Sequence, residues 1–328
     1  MIKIGDVELK GNVILGPMAG VTCLAYREFM KPFGVALSYS EMISDCGIAY
    51  ENQRTLDYLQ TSNLDTPVGL QLFGFDIKNT EKAIQIMENC AKYDILDVNL
   101  GCPVHKVTKT GAGSSWLRDV PKLYDYMKRV CEVSSKPVTA KIRLGWDEKS
   151  INVFEVSECL EKAGVQAITV HCRTKEQGYA GKPNYEAIKG LKERLGIPLF
   201  VSGDIFTLND AINSVNITHA DGVMVARGGI GNPNLVRQID HYFKTGERLP
   251  EASVLEQIDY ARQYATKLVE QKGEVLAIKE LKGILPHFFS GFPGYKKFRV
   301  RFTVNMSSVE DMEAIFHGIE REIQIPAR

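Results

Sequence analysis

The 328-residue sequence contains no CxxC pair, and its seven cysteines (23, 46, 90, 102, 131, 159 and 172) fall at no metal-ligand spacing. An odd count argues against a disulfide framework, so a reducing, cytoplasmic setting and no bound metal are expected. No apolar run approaches the roughly 20 residues of a membrane span, and residues 1–12 hold no stretch of signal-peptide length. An excess of one charge is missing too. Forty basic residues balance forty acidic ones, so any nucleic-acid contact has to come from a local patch. The first strand-like run is followed by Gly16-Pro17-Met18-Ala19-Gly20 rather than a GxGxxG turn, which argues against a doubly wound dinucleotide fold.

What is present is an alternation of short apolar or β-branched runs with amphipathic, helix-length segments, the pattern of βαβ units around a parallel sheet. Eight such runs occur, at 13–15, 35–40, 67–72, 95–99, 137–142, 167–171, 199–202 and 222–226. Eight strand-helix units predict a (β/α)8 TIM barrel. Residues 78–92, with Ala83, Ile84 and Met87 on one face, read as an outer helix, and Thr207 with Asp210 reads as a capping box. The strand pattern stops near Glu247, and Leu249-Pro250 reads as a linker into helical periodicity. A barrel over 1–247 and a helical domain over 248–328 are therefore expected. Ser307 with Glu310 reads as a second capping box, ahead of a buried stripe of Met312, Ile315, Phe316 and Ile319.

A barrel of this kind carries its chemistry at the C-terminal ends of the strands. Polar residues gather there: Gln71 on the third run, Asn99 and Cys102 after the fourth, Lys141 and Arg143 on the fifth, His171 and Arg173 after the sixth. The seventh and eighth runs end in Ser202-Gly203-Asp204 and Ala226-Arg227-Gly228-Gly229, small-residue loops that let backbone N–H groups approach a phosphate. Each alone has a plainer reading, since glycines after strands usually make turns. The joint placement is the signal. Lys141 and Arg143, two apart on one strand, would both point into a barrel otherwise packed with apolar layers, where charge needs a polar or anionic ligand.

The successive motifs Pro17-Met18-Ala19-Gly20-Val21-Thr22, Gln71-Leu72-Phe73-Gly74, Asp97-Val98-Asn99-Leu100-Gly101-Cys102-Pro103, Lys141-Ile142-Arg143-Leu144-Gly145, His171-Cys172-Arg173-Thr174 and Ser202-Gly203-Asp204-Ile205 resemble those of the tRNA-dihydrouridine synthases. They stand in the family's order and span most of the barrel, departing from its pattern at His105, Cys172 and Ala226. The resemblance implies an oxidoreductase that uses FMN, reduced by NADPH or NADH, to saturate the C5=C6 bond of tRNA uridines at D-loop-type sites. It implies that Pro17, Met18 and Ala19 line the flavin and that Gln71 and Lys141 bond its polar edge. His171, Ser202, Gly203, Asp204, Ala226 and Arg227 would serve its phosphate end.

In that reaction Cys102 is the expected acid. A thiol with a reference pKa of about 8.5 is protonated at neutral pH and donates without an activating base. A nucleophilic Cys102 with His105 as base is a weaker reading, because three residues of separation across Pro103 do not supply the geometry. Asn99 is the candidate reader of the uracil edge, with Arg143 and Arg173 positioning base or phosphate. Lys106 and Lys109 are candidate RNA contacts in the loop after Cys102. So are Lys282, Lys296, Lys297, Arg299 and Arg301, from a segment holding six basic residues against one acid between 279 and 301. A barrel flavoenzyme acting on a small pyrimidine would leave this basic run unexplained, and a non-catalytic RNA-binding protein would leave Cys102, Lys141 and His171 unexplained. No second nucleotide fingerprint is present, so the reductant would bind transiently, and a monomer is expected.

Overall fold

The computed structural model describes residues 1–324. Its centre is a closed barrel of eight parallel strands: β3 (Val13–Leu15), β4 (Leu37–Ser44), β5 (Val68–Phe73), β6 (Ile95–Asn99), β7 (Val138–Arg143), β8 (Ala167–His171), β9 (Leu199–Ser202) and β10 (Gly222–Val225). β10 pairs with β3 to close the ring. All eight predicted runs are barrel strands. The second differs most, because a register irregularity between Tyr39 and Met42 lets β4 run on to Ser44 and carries Met42 to the cavity at the barrel mouth.

A hairpin of β1 (Ile2–Ile4) and β2 (Val7–Leu9) precedes the barrel. Ile4 and Leu9 are buried with Ile14, Tyr39, Ile95, Phe200 and Met224, in a cluster that includes the lower barrel interior. Sequence reading missed it, although Gly5-Asp6 between two short β-branched runs is a two-residue hairpin signal. Gly5 sits at φ +60, and a Cβ there would fall 2.5 Å from Gln166 Oε1. A second departure follows β8, where the expected helix is replaced by two 3-10 turns, Tyr185–Ile188 and Lys192–Arg194. Gly178, Gly181 and Gly190 hold positive φ across this stretch, conformations that break a helix.

The expected outer helix is present as Ile77–Cys90 with Ala83, Ile84 and Met87 buried, and its N-cap is Asp76. Thr207 caps the helix Leu208–Thr218 in a complete capping box with Asp210. Thr207→Ala should therefore cost about 1 kcal/mol, read as a lowered denaturant midpoint with an unchanged slope. The second predicted box is displaced by one residue. The last helix is Val309–Gln324, Ser308 Oγ accepts from Asp311 N–H at 3.1 Å, and the Asp311 carboxylate reaches back to Ser307.

After Gly246 the chain leaves the barrel and forms the helices Val254–Lys272, Glu274–Ile284 and Tyr295–Val300 before the last one. Stacked and edge-on rings of Phe289, Phe298, Phe302 and Phe316 form their centre. Tyr264 packs edge-on to Tyr26 at 5.5 Å, and Tyr260 edge-on to Phe33 at 5.0 Å. Aromatic burial thus joins these helices to the first barrel helix, Leu24–Met30, and the turn after it. Among the described residues no helix is long and apolar enough to cross a membrane.

Candidate active site

Strand register stacks the polar interior in three tiers. Parallel pairing sets Gln71, Asp97 and Thr139 side by side, then Asn99, Lys141 and Thr169, then Arg143, His171 and Ser202. Residues two apart on a strand share a face, so Thr139, Lys141 and Arg143 all point inward. Apolar layers below and polar tiers above give the barrel its mouth.

That mouth opens into a cavity of about 390 Å³. Of the residues singled out from sequence, Pro17, Met18, Ala19, Asn99, Cys102, Lys141, Arg143, His171, Ser202, Gly203, Asp204, Ala226 and Arg227 line it. Sequence reading missed Met42, Tyr179 and Phe206 in the same wall. Tyr179 lies beneath two guanidinium groups, 5.5 Å from Arg143 and 4.8 Å from Arg227. Its signal was an aromatic between Gly178 and Gly181 in the loop after β8.

Two cations face this space with donors to spare. Lys141 makes no hydrogen bond or ion pair among the described residues, and burial, then the charge of Arg143, pulls its ammonium down to about 8. Arg143 is 2% exposed and spends Nε on the Gly101 carbonyl and Nη1 on the carbonyls of Thr174 and Gly178, which leaves Nη2 for a ligand. Burial and four neighbouring cations, Lys141, Arg143, Arg173 and Arg227, hold His171 well below the ordinary imidazole range, so it is neutral at pH 7. Unspent cations, the buried Arg143 and the half-buried Lys141, beside a neutral imidazole suit a polar, partly anionic ligand.

Cys102 is buried at the edge of the cavity. Its N–H donates to Asn99 Oδ1 at 2.8 Å and its carbonyl accepts from Ser114 N–H at 3.1 Å. Gly113, at φ +60, presses so closely that a Cβ would meet the Cys102 carbonyl at 2.8 Å. Burial pushes the thiol up from its ordinary range, so it is a protonated acid and a poor nucleophile at neutral pH. His105 is exposed and makes no bond to it, which removes the nucleophile-base pairing.

Four candidate residues stand differently from expectation. Gln71 is fully buried one tier below the mouth and does not line the cavity: Nε2 donates to Asp97 at 2.5 Å and Oε1 accepts from Asn99 at 2.8 Å. Asn99, expected to read a base edge, spends Oδ1 on the Gly101 and Cys102 amides and keeps one N–H for a ligand. Arg173 is 1% exposed and fully engaged by Asp204 and the carbonyls of Ala180 and Gly181, so it is not available to RNA. Asp204 does not itself suit a phosphate. Its carboxylate bonds both Arg173 and Arg227 at 2.9 and 2.8 Å, and the Arg173 bond holds it below the usual carboxylate range. It aims the arginines instead.

Lys106 and Lys109 are exposed on and just after the short helix His105–Thr108, directly beyond the cavity wall at Pro103 and Val104. The distal basic run is less open than its sequence implied. The exposed Lys297 and the half-buried Arg301 both pair with Glu322 of the last helix, whereas Lys296 and Arg299 are exposed with no ion pair among the described residues and Lys282 is half-buried.

The family model described as "Dihydrouridine synthase (Dus)" matches residues 14–324. The chain is 36% identical to a "Probable tRNA-dihydrouridine synthase" of Rickettsia bellii, over 91% of this chain and 92% of that one. It is 32% identical to "tRNA-dihydrouridine synthase B" of Pseudomonas putida, over 95% and 91%. Its fold is also similar to that of 6-hydroxypseudooxynicotine amine oxidase from Pseudomonas geniculata, with a TM-score of 0.57 at 13% identity. That match covers 83% of this chain and about half, 54%, of the longer one.

Proposed function

The chain belongs to the dihydrouridine synthase family, and from that premise we propose that it reduces the C5=C6 bond of uridine in tRNA, at D-loop-type sites, using FMN. The observation that carries the reading is the pairing of a protonated, buried thiol with unspent cations in one cavity. FMN held against Pro17, Met18 and Ala19 would, when reduced, supply the hydride for uracil C6. Cys102 gives its proton to C5, so the ring gains two hydrogens and the thiol is left as thiolate to be reprotonated from solvent.

The residues fit the flavin on their own chemistry. Pro17, Met18 and Ala19 offer an apolar wall. Lys141 offers a charged donor to an electron-rich ring edge, with Gln71 beneath it. Arg227 and the backbone of Ser202, Gly203 and Ala226 suit a phosphate, with His171 as a neutral partner beside them. A Cβ on Gly228 would lie 1.9 Å from the Ile205 carbonyl, so these two loops close only around a glycine. NADPH or NADH is the proposed reductant, in a cytoplasmic, monomeric enzyme.

We assign residues 1–247 to catalysis and 248–328 to holding tRNA. A uridine within folded tRNA has to leave its stack to reach the cavity, at a cost of a few kcal/mol. Phosphate contacts made elsewhere offset that cost, and Lys106, Lys109, Lys282, Lys296 and Arg299 are the available donors. Lys296→Glu and Arg299→Glu should each weaken tRNA binding about fivefold and flatten the log–log salt dependence by about 1. Glu322→Gln, which releases Lys297 and Arg301, should move both quantities the other way in a filter-binding titration.

The function is tested by incubating the purified protein with FMN, NADPH and an unmodified tRNA transcript, then analysing its nucleosides by mass spectrometry. Uridine gaining two hydrogens at defined positions is the expected result. Oxidation of NADPH with every uridine unchanged, on modified native tRNA as well, would instead favour a small-pyrimidine oxidoreductase.

A further inference from the structure

One buried acid has no part in the chemistry described so far. Asp97 is 2% exposed at the centre of the lowest polar tier and does not line the cavity. Its carboxylate accepts from Thr139 Oγ1 through Oδ1 at 2.6 Å and from Gln71 Nε2 through Oδ2 at 2.5 Å. Gln71 Oε1 then accepts from Asn99 Nδ2 at 2.8 Å. Asn99 Oδ1 in turn accepts from the N–H groups of Cys102 at 2.8 Å and Gly101 at 3.2 Å.

The order of these bonds is directional. An ionised carboxylate only accepts, so it makes the first carboxamide turn its NH2 inward. The oxygen of that carboxamide is thereby presented to the second, which has to turn its own NH2 toward it. Only then does an amide oxygen face the backbone of Cys102. Reversing either carboxamide sets oxygen against oxygen or N–H against N–H, with a buried polar group unsatisfied. On the far side, Tyr39 Oη lies 3.2 Å from Thr139 Oγ1 and steadies the anchor.

We propose that Asp97 is a positioning residue: through the Gln71 and Asn99 amides it fixes where the Cys102 thiol stands over the cavity. The inference deepens the proposed reaction and rests on Cys102 being its proton donor. A carboxylate kept dry at this depth, near the Lys141 charge but bonded to no cation among the described residues, is a costly way merely to fill space, since an apolar side chain would pack the same volume. What it adds is a fixed direction for the two amides above it.

A polarity-swap cycle tests this. Asn99→Asp keeps an acceptor for the Cys102 N–H but sets a second acceptor against Gln71 Oε1, so the chain of bonds has a carboxylate at both ends. Adding Asp97→Asn supplies a donor at the lower end. Gln71 can then turn over, with every donor again matched to an acceptor. Three quantities are followed in wild type, both single variants and the double variant: kcat and KM for tRNA, bound flavin, and the rate of iodoacetamide alkylation at Cys102 by peptide mass mapping.

The expected result is a kcat loss of roughly 100-fold for Asn99→Asp, the scale of a misplaced reacting group, with any rise in KM or loss of flavin that comes from the missing Asn99 N–H shared by the double variant. The double variant should recover at least about tenfold of the kcat loss, a coupling of about 1.4 kcal/mol, and its Cys102 alkylation rate should return toward wild type. A double variant as impaired as the product of the two single variants, with Cys102 reactivity uncorrected, overturns the proposal. Should Asn99→Asp fail to fold, Asp97→Leu removes the anchor without new charge, and an unchanged kcat there also overturns it. Wild type that forms no dihydrouridine would sink the proposed reaction, whereas the alkylation cycle would still read the relay by itself.

Discussion

Replacing Cys102 with alanine is expected to lower dihydrouridine formation by roughly 10²- to 10⁴-fold while leaving bound flavin in place, the range that loss of a positioned general acid commands. The separation of the two effects is the informative part. Cys102 meets the cavity at its edge, and its backbone, held by Asn99 and Ser114, stays anchored when the thiol is removed. The change deletes one small buried atom, so folding should be nearly unaffected. Because burial raises the thiol above its ordinary range, the wild-type rate should stay level across neutral pH. It should fall only on the alkaline side, where the acid loses its proton. A nucleophilic cysteine would behave in the opposite way and gain rate as pH rises. The check is a pH–rate profile from single-turnover nucleoside analysis on wild type and Cys102→Ala.

Lys141→Met is expected to weaken flavin binding roughly 10- to 100-fold at pH 7, the scale of a hydrogen bond from a charged group. The pH dependence follows from the free protein. Burial and Arg143 bring Lys141 down to about 8, while Asp97, Cys102 and Cys172 pull weakly the other way. Below pH 8 the ammonium is already charged and affinity is flat. Above it the free protein has lost a proton that the complex needs, so affinity should fall toward tenfold per pH unit. The Met variant should show no such fall in a fluorescence titration.

The same shift has a consequence for folding. A lysine whose folded pKa lies below its unfolded value binds fewer protons when folded, so the flavin-free protein should gain stability as pH rises from about 8 toward 10.4. At pH 7 the charged lysine is a burden until a ligand meets it. Flavin-free Lys141→Met should therefore melt higher than flavin-free wild type, a stability gained at the expense of binding.

The barrel was legible because each strand is a short apolar run followed by small or polar residues, and that signal is local. β4 shows the limit. Its first residues were read correctly, but an irregularity at Tyr39 and Met42, set by pairing with β5, extends it to Ser44 and delivers Met42 to the site. The missing helix after β8 has a different, local cause, since glycines at positive φ override a weak helical pattern.

For the site, sequence identified which side chains reach the cavity better than what they touch there. Arg173 and Asp204 were both read as ligand contacts, yet Arg173 is filled by Asp204 and the carbonyls of Ala180 and Gly181, and Asp204 is divided between Arg173 and Arg227. Lys297 and Arg301 read as free charge because Glu322 is more than twenty residues away along the chain. Position on a strand follows from periodicity, whereas the choice of partner follows from tertiary packing. Gln71 and Asn99 illustrate both: their tiers were predictable from strand periodicity, and their bonds to Asp97 and Cys102 were not.

The most direct test is one anaerobic turnover. Wild type loaded with stoichiometric FMN is photoreduced without NADPH, mixed with unmodified transcript, and followed at once by flavin absorbance and nucleoside mass spectrometry. Return of the oxidised flavin spectrum with about one dihydrouridine formed per flavin is expected, with both slowed together in Cys102→Ala. Flavin that stays reduced in the presence of transcript, or that reoxidises while every uridine is unchanged, would contradict it.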